Sequence, residues 1–160
     1  MNVRRTAVRA LTASGLAGVL ATAPVTSALA SSGATQLNGL MRPDTASACT
    51  ARPSAVAAFV VSGSLVGCWY VDTFVVDHAS AAGTFVSHGT ETFDGCLDTR
   101  CGQLFTTYVF TAKVVDGVET HGRCHHPITG GAGGFAEASG EISMHDLPDG
   151  CSTYHGIIRV

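Results

Sequence analysis

The stretch Gln103-Leu104-Phe105-Thr106-Thr107-Tyr108-Val109-Phe110-Thr111-Ala112-Lys113-Val114-Val115, followed by Asp116-Gly117 and then by Glu119 to His126, decides the fold. Thirteen residues dominated by β-branched and aromatic types, with no helical stripe, read as a long strand. Asp-Gly between two such runs is a strong two-residue hairpin signal, because both residues tolerate positive φ. Along Gln103 to Val115 one face carries Leu104, Thr106, Tyr108, Phe110, Ala112 and Val114, and the other also holds Phe105, Val109 and Val115. A strand apolar on both faces is central and covered in part on both sides.

The same texture extends outward in both directions. Further strands are predicted over Ala57 to Val61, Leu65 to Val76, Gly83 to Phe93, Glu119 to His126, Glu137 to His145 and Thr153 to Val160. Between them lie Ser62-Gly63, Asp77 to Ala82, Asp94 to Gly102, the glycine-rich stretch 130 to 134, and Pro148-Asp149-Gly150. Spacers this short make sequential neighbours pair antiparallel. Seven or eight strands in so short a span predict an all-β fold, a closed antiparallel β-barrel of about eight strands that leaves no exposed edge. Ser31 to Pro53 is polar, rich in Gly, Ser, Thr and Ala, and without periodicity. It reads as a flexible lead-in (31–54) before the barrel domain (55–160), tied down at Cys49.

The first ten residues carry Arg4, Arg5 and Arg9 and no acid, the uncharged stretch Leu11 to Ala30 follows, and it closes on Ala28-Leu29-Ala30. That is the layout of a secretory signal over residues 1–30. Pro24 and the interspersed Thr, Ser and Gly leave too few strongly apolar residues for a membrane span. Arg4-Arg5 also suggests a twin-arginine route, although Thr6-Ala7-Val8 fits that motif loosely, so the export route stays open. After cleavage nothing else is long and apolar enough to act as an anchor, and the expected location is extracellular.

All twelve acids but only six of the nine Lys and Arg residues follow residue 30, so the formal charge falls from −3 for the whole chain to −6 for the remainder. No basic stripe exists to neutralise phosphates, which argues against nucleic acid. An acidic surface is equally poorly attracted to anionic lipid. An oligomer is compatible with the sequence.

Six cysteines, Cys49, Cys68, Cys96, Cys101, Cys124 and Cys151, all lie beyond the signal. An even number in a small exported domain reads as a disulfide framework. Fifteen connectivities are open; Cys96 with Cys101, flanking a four-residue loop, is the favoured pair, and the other four are expected to pair among themselves. Zinc is the competing reading, and the lack of any C-x-x-C weighs against it, so no metal and no cofactor is expected.

The segment Ile128-Thr129-Gly130-Gly131-Ala132-Gly133-Gly134-Phe135-Ala136-Glu137-Ala138-Ser139-Gly140 resembles the G-G-x-G-x-F-x-x-A-x-G segment of dirigent proteins, allene oxide cyclases and related secreted bacterial barrels. Gly89 to Gly95 and Cys101-Gly102 lend weaker support, and the resemblance covers roughly residues 60 to 160. Ala132 stands where the plant proteins usually have threonine. The resemblance implies an allene oxide cyclase/dirigent-like barrel, here disulfide-stapled, holding a reactive apolar molecule in a preformed cavity. Its matching positions are structural: Gly130, Gly131, Gly133 and Gly140 shape a barrel corner, and Phe135 folds inward to plug one end. A phosphate-binding loop would need a following helix and a Gly-Lys-Ser/Thr ending, and neither is present.

Two groups of residues could carry chemistry. Glu91 shares a strand face with Phe85 and Phe93, where a cavity-lining carboxylate would sit. Glu119, His121, Arg123 and His125 share one face of the following hairpin strand, while Thr120, Cys124 and His126 share the other. Histidines four apart on a strand lie about 13 Å apart, too far to share one metal. If the first face lines the barrel, Arg123 could hold an anion and His125 or Glu91 could shuttle a proton. If it faces water these are solvated polar residues, the favoured reading because an inward charge is costly unless paired. The candidate catalytic residues are therefore Glu91, Arg123 and His125, with Phe85, Tyr108, Glu119 and His121 as ligand contacts. Trp69-Tyr70 beside Cys68 reads as core.

Two functions follow from this. One is an exported barrel binding a small apolar or aromatic molecule, with isomerase or cyclase chemistry an option. The other is a non-catalytic structural or interaction module with a side-chain-filled interior. An eight-strand barrel is just wide enough for either, so a cavity of about 300 Å³ reaching Glu91 or Arg123 is the discriminating feature.

Overall fold

A computed structural model of the chain describes residues 33–160; the predicted export signal lies outside the described residues. Eight strands follow in order: β1 (Thr35–Pro43), β2 (Ala57–Gly63), β3 (Leu65–Ala79), β4 (Thr84–Leu97), β5 (Arg100–Val115), β6 (Val118–Gly133), β7 (Ser139–Asp146) and β8 (Ser152–Arg159). Each pairs antiparallel with the next, and β8 returns to β1 to close the ring. No helix occurs among the described residues. Asp116 and Gly117 have φ of 53° and 80°, the two positive angles a primed two-residue turn requires.

Two boundaries differ from the sequence reading. The lead-in contains β1, which closes the ring by pairing Thr35–Met41 with Ile158–Ser152. Its pattern is faint because only Leu37 and Met41 point inward as large apolar residues. Between them stands Gly39, where a side chain would run into the Tyr154 ring and hydroxyl. The second difference is at the glycine-rich segment: Gly130 to Gly133 remain in β6, opposite Phe105 to Gly102, and the turn begins only afterwards. Phe135 is fully buried, its ring centroid 6.2 Å from that of Phe93, so it plugs this end of the interior.

Two disulfides staple the ring. Cys96 and Cys101 face each other across β4 and β5, and Cys49 is bonded to Cys68 on β3. The expectation of a third bridge is corrected, since Cys124 and Cys151 are both free thiols. Strand parity turns Cys124 toward the interior, whereas Cys151 lies in the turn before β8.

The interior has two halves. At the Phe135 end, Leu65, Trp69, Phe93, Leu104, Ile142 and Ile158 form a closed core. At the other end β3 to β6, of 14–16 residues, outrun β1, β2, β7 and β8, of 7–9 residues. The four long strands form a curved wall that the short strands cannot cover, and here the filling stops.

Candidate functional site

A cavity of about 340 Å³ occupies that end of the ring. Its walls are mostly apolar, with Met41, Phe59, Val71, Phe74, Phe110 and Met144 among them. Glu91, His126, Ser87, Tyr108 and Cys124 contribute the polar atoms of its inner part.

Register explains why a carboxylate lies there. Glu91 of β4 stands opposite Val71 of β3 and Thr106 of β5, in the row separating the closed core from the cavity. It is 6% exposed. Its Oε2 accepts a hydrogen bond from Thr106 Oγ1 at 3.3 Å and lies 3.1 Å from His126 Nε2. His126, on β6 and 1% exposed, has Nδ1 3.3 Å from the Ile142 carbonyl oxygen. A carbonyl only accepts, so Nδ1 carries a hydrogen and Nε2 is left to face Glu91. The contact therefore holds one proton between Nε2 and Oε2. With that proton the pair is neutral overall, which makes so deep a burial tolerable. The Trp69 ring meets the imidazole edge-on at 5.7 Å, and the Tyr108 ring lies 6.1 Å from it.

Neighbouring groups complete the inner part. Gly89 lies opposite Tyr108, and its lack of a side chain leaves room for the Tyr108 ring and for the Thr73 carbonyl, to which the Tyr108 hydroxyl donates at 3.2 Å. Burial, followed by the Glu91 charge, pushes the Tyr108 hydroxyl up to about 12, so it stays protonated. Burial also raises the Cys124 thiol, with Glu91 and Asp146 adding to the effect. That thiol is not a ready nucleophile, because the reactive form is the thiolate. Ser87 is fully buried; its hydroxyl makes no hydrogen bond of ordinary length, and its nearness to the Tyr108 hydroxyl offsets a part of that group's rise.

A pair of carboxyls, Glu119 and Asp146, lies beside the cavity, with Asp146 part of its lining. The β5–β6 register runs Lys113↔His121 and then Val114↔Glu119, so Thr120 is an extra residue and Glu119 swings to the inner side of the ring. Its carboxyl meets that of Asp146 over Gly122, where any side chain would strike both. Desolvation first, then the hydrogen bond and charge of Asp146, push Glu119 up to about 7. Ser152 Oγ donates to Asp146 Oδ1 at 2.6 Å.

The sequence candidates are thus sorted by the ring. Glu91 and Tyr108 line the cavity. Phe85 stands behind it, with ring centroids 6.3 Å from Phe74 and 6.1 Å from Phe110. Arg123, His125 and His121 are exposed on the outer surface, which removes Arg123 and His125 as partners of Glu91. Gly122, Cys124, His126 and Ile128 take the inward positions of β6. Glu119 is beside the cavity rather than on the His121 face, because of the bulge. His126, Ser87 and Thr106 do not stand out in the sequence as site residues, although parity puts His126 and Cys124 on one face, whereas Asp146, at the end of the next strand, is a sequence candidate to join the Glu119 group. Outside, His125 lies 3.8 Å from Glu141, and the rings of His145 and His155 stack at 5.8 Å. Among the described residues no group of three or more His, Cys, Asp and Glu side chains is placed to hold a metal ion.

No protein-family model and no curated protein matches this chain.

Proposed function

We propose that this protein is an exported barrel, of the allene oxide cyclase/dirigent-like kind, that binds one small, mostly apolar molecule at the Glu91 end of its interior. The observation that carries this reading is the cavity of about 340 Å³, with a buried Glu91–His126 pair at its inner part. That space is equivalent to about eleven waters at roughly 30 Å³ each and falls in the range of small-molecule sites. Walls of Phe, Met and Val would take an apolar or aromatic skeleton, and the few inner polar groups would fix its orientation. A side-chain-filled module accounts for the Phe135 half of the interior but not for this one. Export is supported by the two disulfides and by the basic-then-apolar opening of the chain. No helix among the described residues is long and apolar enough to cross a membrane.

Native mass spectrometry of the protein collected from the medium of cells that make it tests the reading. The expected spectrum shows a mature chain beginning near residue 31 with one small non-covalent adduct. Cys124→Phe, which puts a ring into the cavity, should lose the adduct. An adduct equally abundant on this variant would place the ligand elsewhere and overturn the assignment.

A further inference from the structure

We infer that the cavity selects a neutral apolar alcohol, a compact hydrocarbon skeleton whose one hydroxyl donates its hydrogen to Glu91 Oε1. This rests on the reading of the cavity as a ligand site and deepens it by naming the class of molecule the site takes.

The class follows from which polar groups of the cavity are already taken. Its donors are. The Tyr108 hydroxyl donates to the Thr73 carbonyl oxygen at 3.2 Å. The Thr106 hydroxyl donates to Glu91 Oε2, and the hydrogen between His126 and Glu91 lies against the same oxygen. The other ring nitrogen of His126 is committed to the Ile142 carbonyl oxygen. Ser152 Oγ donates to Asp146 Oδ1. The Ser87 hydroxyl lies beside that of Tyr108 and is fully enclosed, so a ligand in the cavity does not reach it. The Cys124 thiol remains, and a thiol is a weak donor.

The acceptors are not all taken. Both contacts of Glu91 fall on Oε2, from Thr106 on one side and His126 on the other, which leaves Oε1 as the free oxygen. Oε1 is not one of the two fully enclosed side-chain atoms without a partner, Trp69 Nε1 and Ser87 Oγ. Glu91 is 6% exposed and part of the cavity lining, so its free oxygen opens onto the cavity. The proton of the pair lies between Oε2 and Nε2, and Oε1 therefore carries no hydrogen and only accepts. A ligand O–H satisfies such an oxygen, whereas a ligand carbonyl or ether oxygen sets lone pair against lone pair.

Charge then separates a hydroxyl from an ammonium. The Glu91–His126 pair with its one proton is already neutral. A cation at Oε1 would add an uncompensated charge inside apolar walls, and a hydroxyl adds none. An anion would face Glu91 and Asp146 with no Lys or Arg among the described lining residues to hold it. Met41, Phe59, Phe74, Phe110 and Met144 require the rest of the molecule to be hydrocarbon. Glu91 is thus the residue that determines specificity.

The test compares one skeleton in four forms, 2-indanol, 2-indanone, 2-aminoindane and indane, through the methyl NMR signals of Met41 and Met144 at neutral pH. 2-Indanol should bind tighter than 2-indanone, and tighter than the 2-aminoindane cation, by about tenfold or more, as a buried hydrogen bond to a charged acceptor provides. Glu91→Met keeps the bulk and removes the acceptor. It should bring alcohol and ketone to within about twofold of each other, while indane still moves the methionine signals and so reports an intact cavity. The wild-type series decides alone if this variant does not fold. Equal affinity for alcohol and ketone, tighter binding of the amine than of the alcohol, or an alcohol preference that survives in folded Glu91→Met would overturn the inference while the binding reading stands. If no member of the series, indane included, moves the Met41 and Met144 signals, the binding reading falls with it.

Discussion

At the scale of single residues, the molecule keeps two acidic groups by giving each a partner that shares a proton. Glu91 has His126 at 3.1 Å, and Glu119 has Asp146. The second pair links stability to pH. Glu119 is raised from 4.5 to about 7 by desolvation and by Asp146, so the folded chain holds its proton more tightly than the unfolded chain does. The stabilisation from this group is complete below pH 4.5 and is lost as pH rises through about 7. Thermal unfolding followed across that range should show a declining contribution that Glu119→Gln flattens. An identical slope in the variant would show that the pair is not formed. The sequence made Glu91 legible, since its neighbours at period two are phenylalanines. His126 was harder to see, because it sits in a run where the adjacent face carries Arg123 and His125. Which face turns inward depends on ring closure, and that is not local information.

At the scale of elements, β4, β5 and β6 were readable from their length and their β-branched and aromatic content, and the Asp116-Gly117 turn from its two residue types. β1 was not, because its inner face is Leu37, Gly39 and Met41, and the glycine makes sense only once Tyr154 of β8 occupies the space. Bulges were equally hidden. One at Thr120 moves Glu119 to the inner side, and another at Asp72, between Val71 and Thr73, turns Phe74 toward the cavity. The β6–β7 corner carries its own prediction. Phe135 is fully buried against Phe93, and Gly131 leaves space for the Phe135 carbonyl. Phe135→Ala should cost about 3–5 kcal/mol, measured as a lower denaturant midpoint. A loss below about 1 kcal/mol would mean that the ring does not plug this end.

At the scale of the whole molecule, closure by β8 onto β1 and two staples hold a ring whose long and short strands leave one end hollow. The cysteine count suggested three bridges because a count does not say that Cys124 faces the interior of the ring while Cys151 sits in the turn before β8. Peptide mapping of the unreduced protein should find Cys49–Cys68 and Cys96–Cys101, with two alkylatable thiols per denatured chain. A Cys124–Cys151 bridge would contradict the arrangement. The hollow end can be probed most directly through methionine, since the chain has three and two of them, Met41 and Met144, line the cavity. The decisive measurement is a titration of ¹³C-methyl-methionine protein with indane, an apolar bicycle without reactive groups. The account predicts saturable shifts of the Met41 and Met144 methyl signals with one ligand per chain. Methyl signals that stay in place up to the solubility limit of indane would contradict it.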